Sequence, residues 1–192
     1  MTMPPRFGHN AGPPLETGRA WRTYCWRRAK RDGLPRAPLE LVRRHVKRAA
    51  ALGLSYPRYA AVRLGTGRDL AALLFTGAAV GLRRGRLGEA EEQRLLALAE
   101  AAERLLIAGQ GVVVEPLALG AIRFDAAGPL PEAPRTTPRA AEAIRAITRL
   151  RRLPGDAVLL VGRHPGQKRW SEASRLAGFV TAEEYFGLPS AS

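Results

Sequence analysis

Four side chains that could bind an anion follow a short apolar run near the end of the sequence. The run Ala157–Val161 leads through Gly162 and a Pro-Gly pair into a helical pattern. A strand that feeds a helix in this way places the loop residues at the strand's carboxyl end and the helix's amino end, where anions bind. We predict an anion site here, and a solvated basic loop is the alternative. The candidate residues are Arg163, His164, Lys168 and Arg169.

A second set of basic residues falls on two helices predicted in the first third of the chain. One helix begins at Pro38 and ends at Gly53, and the next begins at Ser55 with Pro57 in its first turn. The first helix has an apolar stripe of Leu39, Val42, Val46, Ala49 and Ala50, flanked by like charges one turn apart. A neutralising partner would relieve that repulsion. The candidates for nucleic-acid contact are Arg43, Arg44, Lys47, Arg48, Arg58 and Arg63.

The net charge of +14 is distributed unevenly along the chain. Residues 1–68 hold 15 Lys and Arg against three acids, a balance of +12, whereas residues 69–192 hold 16 against 14, a balance of +2. An Arg-rich composition explains why Arg outnumbers Lys, but it does not explain the asymmetry. The first third is therefore predicted to meet a polyanion such as DNA. An acidic protein partner, or no specific partner, remains an alternative.

The span Ala49–Gly67, AAALGLSYPRYAAVRLGTG, resembles a helix-turn-helix. Gly53 supplies the positive φ that the turn requires, and Tyr59 and Val62 are spaced to dock on the first helix. The resemblance implies that Arg58 and Arg63 face a groove or its phosphates. A plain helical hairpin is the alternative.

The rest of the chain alternates between strand and helix patterns. We predict strands at 69–75, 111–119 and 157–161, helices at 89–107, 137–152 and 167–177, and a Pro-rich loop at 123–138. This order predicts an α/β fold, a three-layer Rossmann-like domain with a parallel sheet over residues 68–192. A flexible tail over 1–18 and a basic helical segment over 19–67, beginning with a helix at 19–31, precede it. Ligands are expected at the strand ends Thr76-Gly77, Glu115-Pro116 and Gly162-Arg163-His164.

The segment VLLVGRHPGQKRWSEASRLAGF resembles the fourth motif of the haloacid dehalogenase superfamily, and the order of elements over residues 69–180 is similar too. The resemblance implies an Asp nucleophile and an Asp acid after the first strand, and acids that hold Mg²⁺ at motif four. Those positions carry Thr76, Ala78, Arg163 and Lys168. Because Mg²⁺ requires oxygen ligands, the pattern indicates a degenerate domain with no catalytic residues, metal or cofactor.

Several other classes of protein are not indicated. The single cysteine, Cys25, fits a reducing compartment, no apolar run is long enough for a membrane span, and no secretory leader is visible, so we expect a cytoplasmic protein. Residues 8–15, GHNAGPPL, resemble leader peptides of some prophage-associated proteins. The prediction is a non-catalytic nucleic-acid-binding protein. A haloacid dehalogenase-like enzyme or anion-binding protein with an altered site, and an adaptor for an acidic partner, are the alternatives.

Overall fold

The computed structural model describes residues 38–83, 85–98, 100–109, 115–131 and 136–187. The chain divides into two units, Met1–Leu41 and Val42–Ser192. Only residues 38–41 of the first unit belong to the described part. The tail predicted over 1–18 and the helix predicted over 19–31 lie outside the described residues.

Within the described ranges the chain forms six α-helices and six strands. The helices are α1 (Leu39–Ala51), α2 (Tyr56–Thr66), α3 (Glu89–Leu98), α4 (Thr137–Leu150), α5 (Lys168–Ala173) and α6 (Ala182–Phe186). The strands are β1 (Ala72–Thr76), β2 (Glu103–Ala108), β3 (Glu115–Leu119), β4 (Ile122–Pro129), β5 (Val158–Gly162) and β6 (Gly178–Thr181). Short 3₁₀ turns precede β5 at Gly155–Ala157 and α5 at Pro165–Gln167.

The six strands form one sheet in the order β3-β4-β2-β1-β5-β6. Every neighbouring pair is parallel except the hairpin of β3 and β4. On β1, Phe75 pairs with Leu106 of β2 on one side and with Val161 of β5 on the other. The predicted α/β class is confirmed, and a mostly parallel sheet flanked by helices is compatible with a Rossmann-like fold.

Alternate residues of the central strands enter two separate cores, one on each face of the sheet. On β1, Leu73 and Phe75 face a core to which α1, α2, α3 and α6 contribute, whereas Leu74 faces a core formed with α4 and α5. All five residues of β1 and of β5 are buried. These uninterrupted apolar runs are typical of parallel strands covered on both faces.

The long helix predicted over 89–107 is wrong in its second half. Helix α3 ends at Leu98, and residues 103–108 form β2. The carbonyl of Leu98 accepts the N–H groups of Ala101 and Ala102, which turns the chain without a Gly or Pro. The spacing of Leu98, Ala102 and Leu105 continues the helical period across this turn. The apolar run of β2 was therefore assigned to the predicted helix.

Two further predictions are corrected. The loop predicted over 123–138 begins with β4, where Ile122, Phe124 and Ala126 are buried and Arg123 is exposed, the alternation expected of a strand.

The apolar stripe predicted on α1 is largely outside the core, since Leu39 and Val46 are 63% and 46% exposed. The helix instead packs through Ala49, next to the buried Leu52 that follows it.

The helices predicted to begin near Pro38, Ser55 and Thr137 are confirmed as α1, α2 and α4. Strands predicted near 69–75 and 157–161 are confirmed as β1 and β5. The helix predicted over 167–177 is shorter, because α5 ends at Ala173. No described helix combines the length and apolar character that crossing a membrane would require.

Candidate functional site

The strand order places a crevice at the carboxyl ends of the central strands. The connection from β1 leads to β2 on one side, whereas the chain returns through α4 to β5 on the other side of β1. The two connections diverge at this point, which is where open α/β sheets bind ligands. A cavity of about 470 Å³ opens here. Its size is that of a small-molecule site.

Four strand ends and the loops after them form the wall of this switch-point cavity. Among its described lining residues none is acidic, and the polar side chains are those of Thr76, His164 and Gln167. The other lining residues are Gly77, Ala78, Leu82, Ile107, Ala108, Gly109, Leu130, Gly166 and Trp170. The lining is therefore mainly apolar, with few groups that can orient a polar ligand.

Hydrogen bonds fix the loop that leaves β1. The buried hydroxyl of Thr76 accepts from the N–H of Ala79 at 3.3 Å, and the N–H of Leu82 donates to the carbonyl of Gly77 at 2.9 Å. Gly77 lies close to β2, since a Cβ added there would lie 3.0 Å from the Cβ of Ala108. This turn directs Leu82 back over the strand ends and into the cavity.

A buried glutamine holds the loop that leaves β5. The Gln167 side-chain oxygen accepts the N–H of His164 at 3.0 Å, and the Gln167 N–H donates to the carbonyl of His164 at 2.9 Å. Gly162 makes room for this pair, because a Cβ there would lie 2.5 Å from the glutamine oxygen. The loop therefore presents His164 to the cavity from a defined backbone.

A basic groove adjoins the cavity. Its volume is about 760 Å³, and it shares the lining residues Ala78 and Leu82 with the cavity, so the two lie side by side and are together called the cleft. The charged lining residues of this arginine groove are Arg83, Arg86, Arg163 and Glu91. Within the described residues, none of the three guanidinium groups forms an ion pair.

Two of the groove's arginines belong to one tight hairpin. The N–H of Arg83 donates to the carbonyl of Arg86 at 2.9 Å, and the reverse hydrogen bond measures 3.0 Å. Gly85, with φ of +77°, lies inside this turn, a conformation that glycine adopts without strain. The hairpin places the two arginines directly opposite each other in the backbone pairing, and both line the groove.

The predicted anion site is divided between the two parts of the cleft. Arg163 lines the groove and His164 lines the cavity. Lys168 and Arg169 are exposed on α5 and line neither part, and the Lys168 ammonium lies 3.8 Å from the Glu172 carboxylate. The strand ends at Thr76-Gly77 and Gly162–His164 meet at the cleft as predicted, whereas Glu115 and Pro116 begin the antiparallel strand β3.

Arg58 and Arg48, which were predicted to contact nucleic acid, bind carboxylates of the chain itself. Arg58 binds the Glu184 carboxylate through two hydrogen bonds of 2.8 and 2.6 Å. Arg48 binds Asp69 and two backbone carbonyls. Arg63 is half-buried. The remaining three, Arg43, Arg44 and Lys47, are exposed on α1.

The span predicted to resemble a helix-turn-helix forms two helices joined by a short turn. Gly53 has φ of +70° in that turn, and Tyr59 and Val62 are buried in the core that both helices share with the sheet. Ser55 is the residue before α2, although its hydroxyl makes no capping hydrogen bond. The two helices contribute to one core, which a plain helical hairpin would do as well, and DNA contact by α2 stays a prediction.

Sequence reasoning missed the arginine pair Arg83 and Arg86 and the apolar lining from β2 and β4. The pair had a signal, since two arginines that flank a short stretch with Gly85 fit a two-residue hairpin. The lining from Ile107 and Leu130 depends on β2 and β4, which were not recognised as strands. Comparison with protein-family models, curated proteins and solved structures gave no match for the chain.

Proposed function

We propose that the chain binds a small organic anion in the cleft formed by the switch-point cavity and the arginine groove. The observation that carries the proposal is that a largely apolar cavity lies beside a groove lined by three arginines, with Ala78 and Leu82 in the lining of both. An apolar ligand body would lie against Leu82 and Trp170, and its charged end would meet the guanidinium groups.

We propose a binding role rather than a catalytic one. We propose a degenerate haloacid dehalogenase-like domain, in which the elements β1, α3, β2 and then α4, β5 are separated by the hairpin of β3 and β4. The positions that carry acids in that family hold Thr76, Ala78, Arg163 and Lys168 here. Cationic side chains repel Mg²⁺, so the cleft is suited to hold an anion without the family's metal chemistry.

Calorimetric titration with 1-naphthalenesulfonate, an apolar ring system with one negative charge, tests this proposal. A Cβ at Gly109 meets no atom within 4 Å, so Gly109→Leu begins its side chain in open space at the cavity wall. We expect it to weaken binding at least about tenfold, or about 1.4 kcal/mol. Gly65→Leu is the control, because Gly65 is equally open but lies on α2. Equal affinity of Gly109→Leu and wild type would contradict the proposal.

Nucleic-acid binding is a second candidate, favoured by the exposure of Arg43, Arg44 and Lys47 on one stretch of α1 and by the charge excess of residues 1–68. We propose that these three residues contact phosphates. Fluorescence anisotropy with duplex DNA and RNA should show log K falling with log[salt], and replacing all three by Ala should flatten that slope by roughly 0.9 per lost phosphate contact. A wild-type affinity that does not change with salt would rule this candidate out.

A further inference from the structure

We infer that the arginine groove selects a dianion, and that Arg83 and Arg86 are the residues that determine this selectivity. The inference rests on the proposed ligand cleft and names the charge class of its ligand. Its basis is the backbone pairing of Arg83 and Arg86 on one hairpin and the presence of a third arginine, Arg163, in the lining of the same groove.

The hairpin brings like charges together. Residues that exchange both backbone hydrogen bonds lie directly opposite each other, so the side chains of Arg83 and Arg86 leave the same face of the hairpin. Like charges in this relation are unfavourable unless an anion lies between them. Both side chains are exposed and line the groove, so a ligand can reach them from solvent.

The described residues that line the groove carry more positive than negative charge. Arg163 adds a third guanidinium, and Glu91, which is 8% exposed, is the one carboxylate in that lining. Three cations and one anion give a surplus of two positive charges. A dianion would compensate more of this surplus than a monoanion would.

The amino end of α3 does not supply this anion site. Its first turn already carries three carboxylates, those of Glu89, Glu91 and Glu92, which interact favourably with the helix dipole. The N–H of Gly88 is also engaged, since it donates to the carbonyl of Val80 at 3.2 Å. Attraction for a ligand in the groove therefore comes from the arginine side chains.

The adjoining cavity defines the rest of the ligand. Its volume of about 470 Å³ and its lining by Leu82, Ile107 and Trp170 suit a compact apolar body such as a ring system. The ligand class is thus an apolar ring-sized molecule that carries a phosphoryl group or two carboxylates. Both kinds of group present charge to guanidinium in the same way, through bidentate hydrogen bonds.

Three probes that share one ring system but differ in charge distinguish the contribution of the ligand's charge to affinity from that of its apolar body. 1-Naphthalenesulfonate carries one charge, whereas 1-naphthyl phosphate and naphthalene-1,8-dicarboxylate each carry two at pH 8. Calorimetric titration of the wild type should show one or both dianions binding at least about tenfold more tightly than the sulfonate. A preference confined to one dianion would identify a phosphoryl or a dicarboxylate ligand.

The double variant Arg83→Gln/Arg86→Gln should reduce that preference to about twofold or less, while the sulfonate continues to bind in the cavity. Arg123→Gln/Arg139→Gln is the control, because it removes the same charge from exposed residues that do not line the groove. If the sulfonate binds but neither dianion is preferred, or if both double variants behave alike, the inference is overturned and the proposed cleft stands. Absence of binding by all three probes would overturn both.

Discussion

The guanidinium of Arg48 on α1 binds the carboxylate of Asp69, with 3.0 Å between Nε and Oδ2. The same guanidinium donates to the backbone carbonyls of Leu70 and Ala101 at 2.8 and 2.7 Å. The other oxygen of Asp69 accepts the Tyr59 hydroxyl of α2 at 2.8 Å. One ion pair therefore joins both amino-terminal helices to the segments that lead into β1 and β2.

This network predicts an acid-dependent part of stability. Burial alone would raise the pKa of Asp69, but the hydrogen bond from Tyr59 and the charge of Arg48 outweigh burial and lower it. Since the folded pKa lies below the unfolded value of about 3.9, the carboxylate stabilises the fold above that pH. This contribution is lost as the pH falls through the folded pKa.

Asp69→Asn should therefore cost about 1–2 kcal/mol at pH 7, a value moderated by the partial exposure of the pair. The difference between wild type and variant should stay constant down to about pH 5 and shrink below about pH 4. Urea unfolding at a series of pH values measures it. A difference that stays constant from pH 7 to pH 2 would show that Asp69 is not the titrating group.

A buried hydroxyl joins the last helix to the turn after α1. Tyr185 is 2% exposed, and its hydroxyl donates to the carbonyl of Leu52 at 3.1 Å. Tyr185→Phe should lower the free energy of unfolding by about 1–2 kcal/mol, because it leaves a buried carbonyl unsatisfied. Tyr56→Phe is the control, since Tyr56 is 37% exposed, and it should change stability by less than about 0.5 kcal/mol. Equal effects in chemical denaturation would contradict this role for the Tyr185 hydroxyl.

The loop after β5 should not tolerate a side chain at Gly162. A Cβ there would lie 2.5 Å from the Gln167 oxygen and 2.8 Å from a ring carbon of Phe179. Gly162→Ala should cost about 1–3 kcal/mol through overpacking. Gly166→Ala, four residues on, meets no atom within 4 Å and should change stability by less than about 0.5 kcal/mol. Thermal unfolding of the two variants decides the matter, and equal melting temperatures would contradict the packing described.

Two glycines at the end of α2 should respond in opposite directions to alanine. Gly65 lies inside the helix with open space around it, so Gly65→Ala should stabilise the chain by about 0.5–1 kcal/mol. Gly67 caps the helix with φ of +71°, so Gly67→Ala should destabilise it by about 1 kcal/mol. Chemical denaturation of both variants tests the sign, and a stabilising Gly67→Ala would be inconsistent with a left-handed cap.

The elements that could be predicted from the sequence are marked at their ends by residues such as Pro and Gly. β5 lies between the Pro154-Gly155 pair and Gly162, and α4 begins with Thr137-Pro138, so both were recognised. The boundary between α3 and β2 has no such residue, and the helical spacing of leucines continued through it. Secondary-structure propensity and hydrophobic periodicity depend only on the residues within a segment. Residues 103–108 form a strand because they pair with β1 and β4, and this pairing cannot be read from the segment alone.

The candidate site was predictable only where it follows a single strand end. Arg163 and His164 were expected at a strand end, and the structure has them directly after β5, where they line the groove and the cavity. The arginine hairpin and the apolar wall require knowledge of which loops become neighbours, and this follows from the strand order. The partners of Arg48 and Arg58 were unpredictable for the same reason, since Glu184 lies 126 residues from Arg58.

The central position of β1 has a consequence for synthesis of the chain. β1 lies between β2 and β5, and β5 follows only after β2, the hairpin of β3 and β4, and α4. While the ribosome is still producing those elements, one side of a strand that is fully buried in the complete fold has no partner, and parallel pairing across such a distance is slow. A nascent or truncated chain that stops before Val158 therefore presents an open sheet edge to other chains, and chaperone protection is needed most during that interval.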